Sequence, residues 1–194
     1  MKNVSVVIKE PNIQSFKVTI KSSAPMIFNR WSEKAIQMIV DKQMKKASSN
    51  KRDVRNPEKD GEATFYKDKK GNICIPAIAI KSSMVSAVRN ITGLTMSLIR
   101  GAVFVKGDED GLIPLIYGGK SIRRDMVRIG MGIADVRFRG TVKSWKAKFE
   151  IKFNGDVLSA EQIVNLLQTA GFSCGLCEWR PEKGGDFGTF EVVV

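Results

Sequence analysis

The sequence predicts a single α+β domain over residues 1–194 with a ferredoxin-like core, built on the split βαβ plan. Apolar and charged residues alternate strictly over residues 145–153, which indicates a half-buried strand. Ser159 and Gln162 form a capping-box pair ahead of an apolar stripe that ends at Gly171, which indicates an amphipathic helix. The predicted order is strand, helix, strand, strand, helix, strand, as the split βαβ plan requires.

The first strand is predicted near residues 16–21, because apolar side chains there alternate with Lys17, Thr19 and Lys21. The outer face of this strand is therefore basic. Ser32 can cap a helix that runs to about residue 47 with apolar residues along one side.

Residues 47–61 contain almost no apolar side chains, so we expect a surface loop there. Its cations either form a solvated charge run or become ordered on nucleic acid. Residues 65–66 and 73–75 flank a turn-rich connection, which predicts a hairpin.

A second helix is predicted from Pro76 to Gly93, since apolar residues recur there at helical spacing. Residues 100–106 invite comparison with the RNP1 signature of RNA-recognition motifs. That signature has aromatic residues at its third and last positions, where this chain has Ala102 and Gly107. We therefore interpret the segment as an ordinary strand.

Two basic insertions interrupt the plan. One lies between strand 1 and helix 1, at residues 23–75, and the other between strands 2 and 3, at residues 107–143. The second begins with a turn and a strand over residues 112–117. From residue 120 to residue 152, ten basic residues face three acidic ones. Binding carried by loops on a scaffold would concentrate charge in this way.

The charge balance makes a polyanion the first partner to consider. The 194 residues include 32 Lys and Arg against 20 Asp and Glu, a net charge of +12. No apolar run is long enough to cross a membrane, and no basic amphipathic helix stands out as a surface anchor. The N-terminus lacks the apolar region of a secretory signal, so we expect a cytoplasmic location and no membrane partner.

The glycine-rich run at residues 171–190 has the composition of a shaped loop that meets a phosphate backbone. Pro181 holds the preceding Arg180 in an extended conformation. We expect Trp179 to anchor the loop, so that the Arg180 guanidinium stays free for a phosphate and Lys183 adds charge. Two alternatives are a hairpin connection with ordinary turn glycines and an Arg180 that pairs with a neighbouring glutamate as a structural clamp.

The sequence offers few groups for catalysis. It has no His, and Cys174 and Cys177 have only Cys74 as a further thiol, so buried inert thiols are favoured over a zinc or redox site. The acidic residues 108–110 could hold Mg²⁺ in a nuclease, but consecutive turn residues point in different directions. We expect no metal, no cofactor and no enzymatic activity.

Three segments resemble the RAMP superfamily: residues 23–27 after the first strand, residues 66–77 leading into a helix, and the glycine-rich segment that ends at Phe190. The nearest likeness within it is the backbone subunit that polymerises along guide RNA in CRISPR effector complexes. Residues 137–145 and 175–181 look more like stand-alone relatives from phages and mobile elements. A CRISPR repeat nuclease of this superfamily would normally use a His, and this chain has none.

The resemblance implies an RRM-like core whose loops, helix-end amides and cations cradle a nucleic-acid backbone. We therefore expect a non-catalytic protein that binds single-stranded nucleic acid, RNA before DNA, and oligomerises along it, with other effector subunits as possible partners. Aromatic residues are only 8% of the chain, which favours backbone contacts over base stacking. The alternatives are a phage-type single-stranded DNA-binding or annealing protein and a RAMP-type nuclease. The candidate contacts are Arg180, Trp179, Lys183, Arg137, Arg139, Lys120, Arg123, Arg124, Lys81, Lys51 and Arg52.

Overall fold

The computed structural model describes residues 9–45, 54–130 and 132–193. Its strands are β1 (Ile13–Ser22), β2 (Met26–Ile27), β3 (Tyr66–Lys67), β4 (Ile73–Pro76), β5 (Val103–Lys106), β6 (Leu112–Tyr117), β7 (Lys120–Ile129), β8 (Ile133–Val142), β9 (Trp145–Asn154) and β10 (Phe190–Val193). Its α-helices are α1 (Glu33–Gln43), α2 (Pro57–Glu62), α3 (Ala77–Ala87), α4 (Met96–Ala102) and α5 (Ala160–Ser173). The chain is a mixed α+β protein with antiparallel sheets, as the sequence predicts.

The main sheet has the strand order β10-β1-β9-β6-β4-β3, and β5 also pairs with β9. All of these pairings are antiparallel. The long β1–β9 pair sets the register, with Val18 opposite Phe149 and Ile20 opposite Ala147. Along β9 the side chains alternate between buried and exposed or half-buried positions, so the alternation in the sequence correctly predicts this strand.

One face of the main sheet carries the core. The helices α3 and α5 pack against each other, and they contact β5 and β10 respectively. Ile20 and Ile151 from the sheet and Met84, Ile163 and Leu167 from the helices are fully buried there. Burial of such side chains contributes about 1.5–3 kcal/mol each, so this layer holds the fold together. On the opposite face of these strands, side chains such as Lys17, Lys146 and Lys148 are exposed among the described residues.

The predicted helix caps are confirmed. Ser159 and Gln162 make the capping box of α5, and the Ser32 hydroxyl accepts a hydrogen bond from the Ala35 amide at the start of α1. α1 ends at Gln43, a few residues before the predicted end. None of its residues is buried, and Met38 remains 64% exposed.

A second sheet, in the order β2-β8-β7, consists mainly of the long β7–β8 hairpin. Its base packs on the main body at Gly140, where a Cβ atom would lie 2.3 Å from the Phe65 ring. The Gly140 amide also donates to the Thr64 hydroxyl at 2.8 Å. Neither strand of this hairpin is predicted from the sequence, because charged side chains on both faces hide the usual alternation.

Two further expectations are wrong. Residues 57–62, predicted as part of a loop, form α2, which Asn56 caps and whose Gly61 packs against Ile122. Of the rest of the predicted loop, residues 54–56 have no regular secondary structure and residues 47–53 lie outside the described residues. The predicted strand at 100–106 begins only at Val103, because a Thr95 cap starts α4, which extends to Ala102.

Candidate nucleic-acid interface

The glycine-rich loop between α5 and β10 is tightly folded. Its two arms are joined by a hydrogen bond from the Leu176 amide to the Gly188 carbonyl at 2.9 Å, and the Gly188 amide donates to Pro25 at 2.7 Å. Gly188 has a φ of +70°, and a Cβ there would lie 2.0 Å from the Leu176 carbonyl oxygen. A Cβ on Gly185 would lie equally close to the Trp179 carbonyl oxygen. The glycines therefore permit close backbone packing within the loop.

Arg180 does not have the free guanidinium that the sequence predicts. Its Nε and Nη2 donate to Glu182 at 3.1 and 2.8 Å, and its Nη1 donates to the Cys177 carbonyl at 2.8 Å. Burial by itself would raise the pKa of Glu182, but hydrogen bonds from Ser86 and Arg180, with the charges of Arg180 and Arg89, bring that pKa below its ordinary value. Arg180 thus forms the structural clamp that was the alternative interpretation.

Trp179 joins the loop to the β7–β8 hairpin. Its ring centroid lies 5.1 Å from the Arg123 guanidinium and 5.5 Å from that of Arg139, within the range of cation–π contacts. Arg123 also lies 4.9 Å from the Phe187 ring. Trp179 therefore anchors the loop, as expected, but it does so by stacking on two of the cations predicted to bind nucleic acid.

Asp125 forms ion pairs with both of these arginines, which leaves the three side chains with a net charge of +1. It is buried, and it accepts hydrogen bonds from Arg123 Nε at 2.7 Å and from Arg139 Nη1 at 3.3 Å. Only 4% of Arg139 is exposed, so the prediction that it is a surface contact is wrong. Its strand position places it opposite Arg123 under the loop, where a buried cation requires a partner.

The other predicted cations of the hairpin differ in whether they form ion pairs. Lys120 pairs with Glu62, whose pKa is lowered chiefly by the hydrogen bond from that lysine. Arg137 lies 3.7 Å from Asp135, which also binds Arg55. Arg124 is exposed and makes no ion pair with any described residue, so it is the hairpin candidate that is available to a ligand.

The last candidates are scattered. Lys81 donates to the Arg100 carbonyl at 2.8 Å and lies over the Phe104 ring, and desolvation lowers its pKa. Lys183 is exposed at the tip of the glycine-rich loop, without an ion pair among the described residues. Lys51 and Arg52 lie outside the described residues. Among the described candidates, the structure brings Arg123 and Arg139 together beside Trp179, but it does not gather the predicted cations into one exposed surface.

The thiols and the acidic turn have local structural roles. Desolvation raises the pKa of Cys177 to about 12 and that of Cys74 to about 11, so both stay protonated at neutral pH. Asp108 accepts hydrogen bonds from two backbone amides of its own turn, and Glu109 pairs with Lys69. Within the described part of the chain, no three His, Cys, Asp or Glu side chains cluster as metal ligands would.

A basic surface that the candidate list missed lies on the open face of the main sheet. We call it the lysine face, and its cations are Lys17, Lys21, Lys106, Lys146, Lys148 and Lys152. The register places Lys21 beside Lys146, and β5 brings Lys106 beside Glu150. Two glutamates, Glu150 and Glu191, share this face, which leaves it with a net charge of +4.

Most of the lysine face is free of ion pairs. Among the described residues, the ion pairs of this face join Lys21 to Glu191 at 2.8 Å and Lys106 to Glu150 at 3.3 Å, and its other lysines make none. Alternate residues on a strand lie about 6.7 Å apart, so Lys146 and Lys148 are neighbours on this face of β9, and Glu150 separates them from Lys152. The lysines of β9 can be read from the alternation over residues 145–153. The strand register was needed to show that the lysines of β1 and β5 lie on the same face of the sheet.

Comparisons with known proteins find similarity among solved structures but not among sequences. No family model matches the sequence, and a search of curated proteins found no match. Among solved structures, the chain is similar to the crystal structure of Cmr6 from Pyrococcus furiosus, with a TM-score of 0.47 and 11% identity. That alignment covers 95% of this chain and 100% of the other. Among the described residues, no helix is long and apolar enough to cross a bilayer.

Proposed function

We propose that this chain is a non-catalytic protein that binds the phosphate backbone of single-stranded nucleic acid, with RNA as its natural ligand. The observation that carries the proposal is the lysine face, where Lys146, Lys148 and Lys152 project from one strand without ion pairs among the described residues. The phosphates of an extended single-stranded nucleic acid are spaced about as far apart as alternate residues of a β-strand. Backbone neutralisation of this kind is largely independent of sequence.

We propose further that the core is ferredoxin-like and of RRM type, which would suit this use of the sheet. The strands β10, β1, β9 and β5 lie in the order expected for the split βαβ plan, with α3 and α5 on the opposite face. RNA-recognition motifs bind on such an open face by stacking bases on aromatic residues. Among the described residues of the lysine face, Phe104 is the single aromatic side chain. We therefore propose that contacts to phosphate take the place of base stacking.

The proposal extends to assembly. We propose that several copies bind along one strand in the cytoplasm, as the RAMP resemblance implies for a CRISPR-backbone-like subunit that works with other effector subunits. Head-to-tail contacts of this kind give open arcs or filaments. Light scattering should then show a mass that grows with the length of the single strand. A mass of one protomer on long strands would contradict this part.

The lysine face can be tested with a matched pair of variants. The triple variant Lys146→Gln, Lys148→Gln, Lys152→Gln removes three charges from the face. The control, Lys42→Gln, Lys45→Gln, Lys70→Gln, removes three exposed charges from α1, its C-cap turn and the β3–β4 turn. We expect only the first to weaken single-strand binding, and to reduce the slope of log affinity against log salt by about 2, since each phosphate contact contributes about 0.7.

Equal effects of the two triple variants would mean that binding follows net charge and not this face. Thermal melting of both variants checks that the fold is retained. Sequencing of nucleic acid that copurifies with the protein, after RNase or DNase treatment, distinguishes RNA from DNA. A single-stranded DNA-binding or annealing protein is the alternative that recovery of DNA would favour. Cleavage of labelled RNA would instead indicate a RAMP-type nuclease.

A further inference from the structure

A cavity of about 310 Å³ lies between α3 and the glycine-rich loop, away from the lysine face. Its walls include Pro76, Ala79 and Leu176, which offer apolar surface. Its polar lining includes Asn29, Tyr66, Ser82, Ser86, Glu178 and Glu182. A cavity near the lower end of the usual size range for ligand sites, with a lining that is partly apolar and partly polar, suits one planar ring system that carries hydrogen-bonding groups.

The charged groups of this cavity are unequally occupied. Glu182 is used by the Arg180 clamp, and Arg180 has all three of its guanidinium nitrogens engaged. Glu178 accepts from the Asn29 amide at 2.6 Å through Oε1, while its Oε2 has no partner among the described residues. A carboxylate can only accept hydrogen bonds, so this bond identifies which end of the Asn29 side-chain amide is the NH₂ group. The side-chain oxygen of Asn29 is then available to accept a hydrogen bond from another group.

Glu178 is held firmly in place. Its backbone amide donates to the Ile27 carbonyl at 3.0 Å, in an isolated antiparallel bridge. Its neighbours Cys177 and Trp179 have φ angles of +63° and +50°, which are unusual for residues other than glycine. A carboxylate positioned by strained neighbours is preorganised for a ligand.

The free polar groups therefore favour a neutral ligand that donates hydrogen bonds. The cavity offers the Glu178 carboxylate and the Asn29 carbonyl as acceptors, and the Tyr66 and Ser82 hydroxyls make no hydrogen bond within the described residues. A phosphate would be repelled by Glu178. Among the nucleobases, guanine alone presents two adjacent N–H donors, N1–H and the 2-amino group, on its Watson–Crick edge, beside the O6 acceptor.

We propose that this cavity binds one unstacked guanine base, with the Glu178 carboxylate accepting from N1–H and the 2-amino group. The proposal rests on the proposed function, since it adds base selectivity to a protein whose lysine face holds the backbone. Adenine and cytosine would place a ring-nitrogen acceptor against the carboxylate. A hydroxyl such as that of Tyr66 can donate to O6, which burial assists by raising the tyrosine pKa and keeping the hydroxyl protonated.

The test compares uridine oligonucleotides that are long enough to extend from the lysine face to the cavity and that carry one central guanosine, inosine, adenosine or cytidine, with binding measured by fluorescence anisotropy. We expect the guanosine strand to bind at least about tenfold more tightly than the adenosine strand, the scale of one good bidentate contact. Inosine, which lacks the 2-amino group, should fall between them. Glu178→Gln should abolish the preference, and Glu161→Gln, an exposed carboxylate on α5, should leave it unchanged.

The outcomes separate the two proposals. Equal affinity for all four strands, with normal salt dependence, overturns the guanine site and leaves backbone binding intact. If the native protein binds none of the four oligonucleotides, both proposals are overturned. A final experiment adds free guanosine monophosphate as a competitor. If it displaces the guanosine oligonucleotide at concentrations similar to those of the oligonucleotide itself, the natural ligand of the cavity is a free nucleotide. Retention of the preference in Glu178→Gln, with an unchanged melting temperature, also overturns the site.

Discussion

The carboxylate of Glu182 accepts two hydrogen bonds from the guanidinium of Arg180, from Nε at 3.1 Å and from Nη2 at 2.8 Å. The remaining Nη1 donates to the Cys177 carbonyl, so the side chain closes the loop on itself. Arg89 approaches the other oxygen of Glu182 at 3.6 Å, which ties the loop to the 3-10 turn that follows α3. The two residues therefore form a structural pair within the glycine-rich loop.

Arg180→Ala should lower the free energy of unfolding by about 1–3 kcal/mol, the scale of hydrogen bonds to a charged group. Its affinity for single-stranded nucleic acid should be nearly unchanged, because the guanidinium is engaged within the protein. Urea unfolding and anisotropy titrations measure the two quantities. The matched control is Lys183→Ala, an exposed cation of the same loop, which should leave stability unchanged. A large loss of affinity in Arg180→Ala at constant stability would place Arg180 in the interface after all.

The Glu182 carboxylate should make stability depend on acid pH. Its pKa in the folded protein lies below the ordinary value of 4.5, so its contribution is present above that value and is lost as pH falls through the folded pKa. We expect Glu182→Gln to be less stable than the native chain at about pH 7 and to approach it near pH 3. Denaturant unfolding across this range provides the measurement. Glu10→Gln, at an exposed site, is the control, and a stability difference that stays constant with pH would show that Glu182 is not paired as a charge.

Gly188→Ala and Gly71→Ala should separate backbone strain from close packing. Both glycines have positive φ, +70° and +83°, but a Cβ meets nothing at Gly71 and lies 2.0 Å from the Leu176 carbonyl oxygen at Gly188. We expect Gly71→Ala to cost about 1 kcal/mol from the left-handed conformation alone, and Gly188→Ala to cost about 3 kcal/mol or more. Thermal and urea unfolding of the two variants measure this difference. Similar losses in both would mean that the loop can open to admit the methyl group.

Where the sequence pattern was local and regular, it predicted the structure well. The alternation along β9 and the Ser159 capping box each depend on residues a few positions apart, so both are legible without knowledge of the fold. The hairpin of β7 and β8 was missed because charged residues occupy both of its strands, and pairs such as Arg139 with Asp125 form between the strands beneath a distant loop. The short helix α2 was missed because its buried residue is a glycine.

The candidate site shows the same division. The sequence by itself determined that the protein is basic, that its strands carry lysines on their outer faces, and that a glycine-rich loop follows α5, because composition and short-range periodicity do not depend on the path of the chain. Only the tertiary structure decided which cations are available to a ligand. Arg139 and Lys148 are both basic strand residues, yet one is buried against Asp125 and the other is exposed on the open sheet. Their difference arises from strand pairing and from the partner that each side chain meets across the fold, since burial and ion pairing depend on contacts between residues far apart in the sequence.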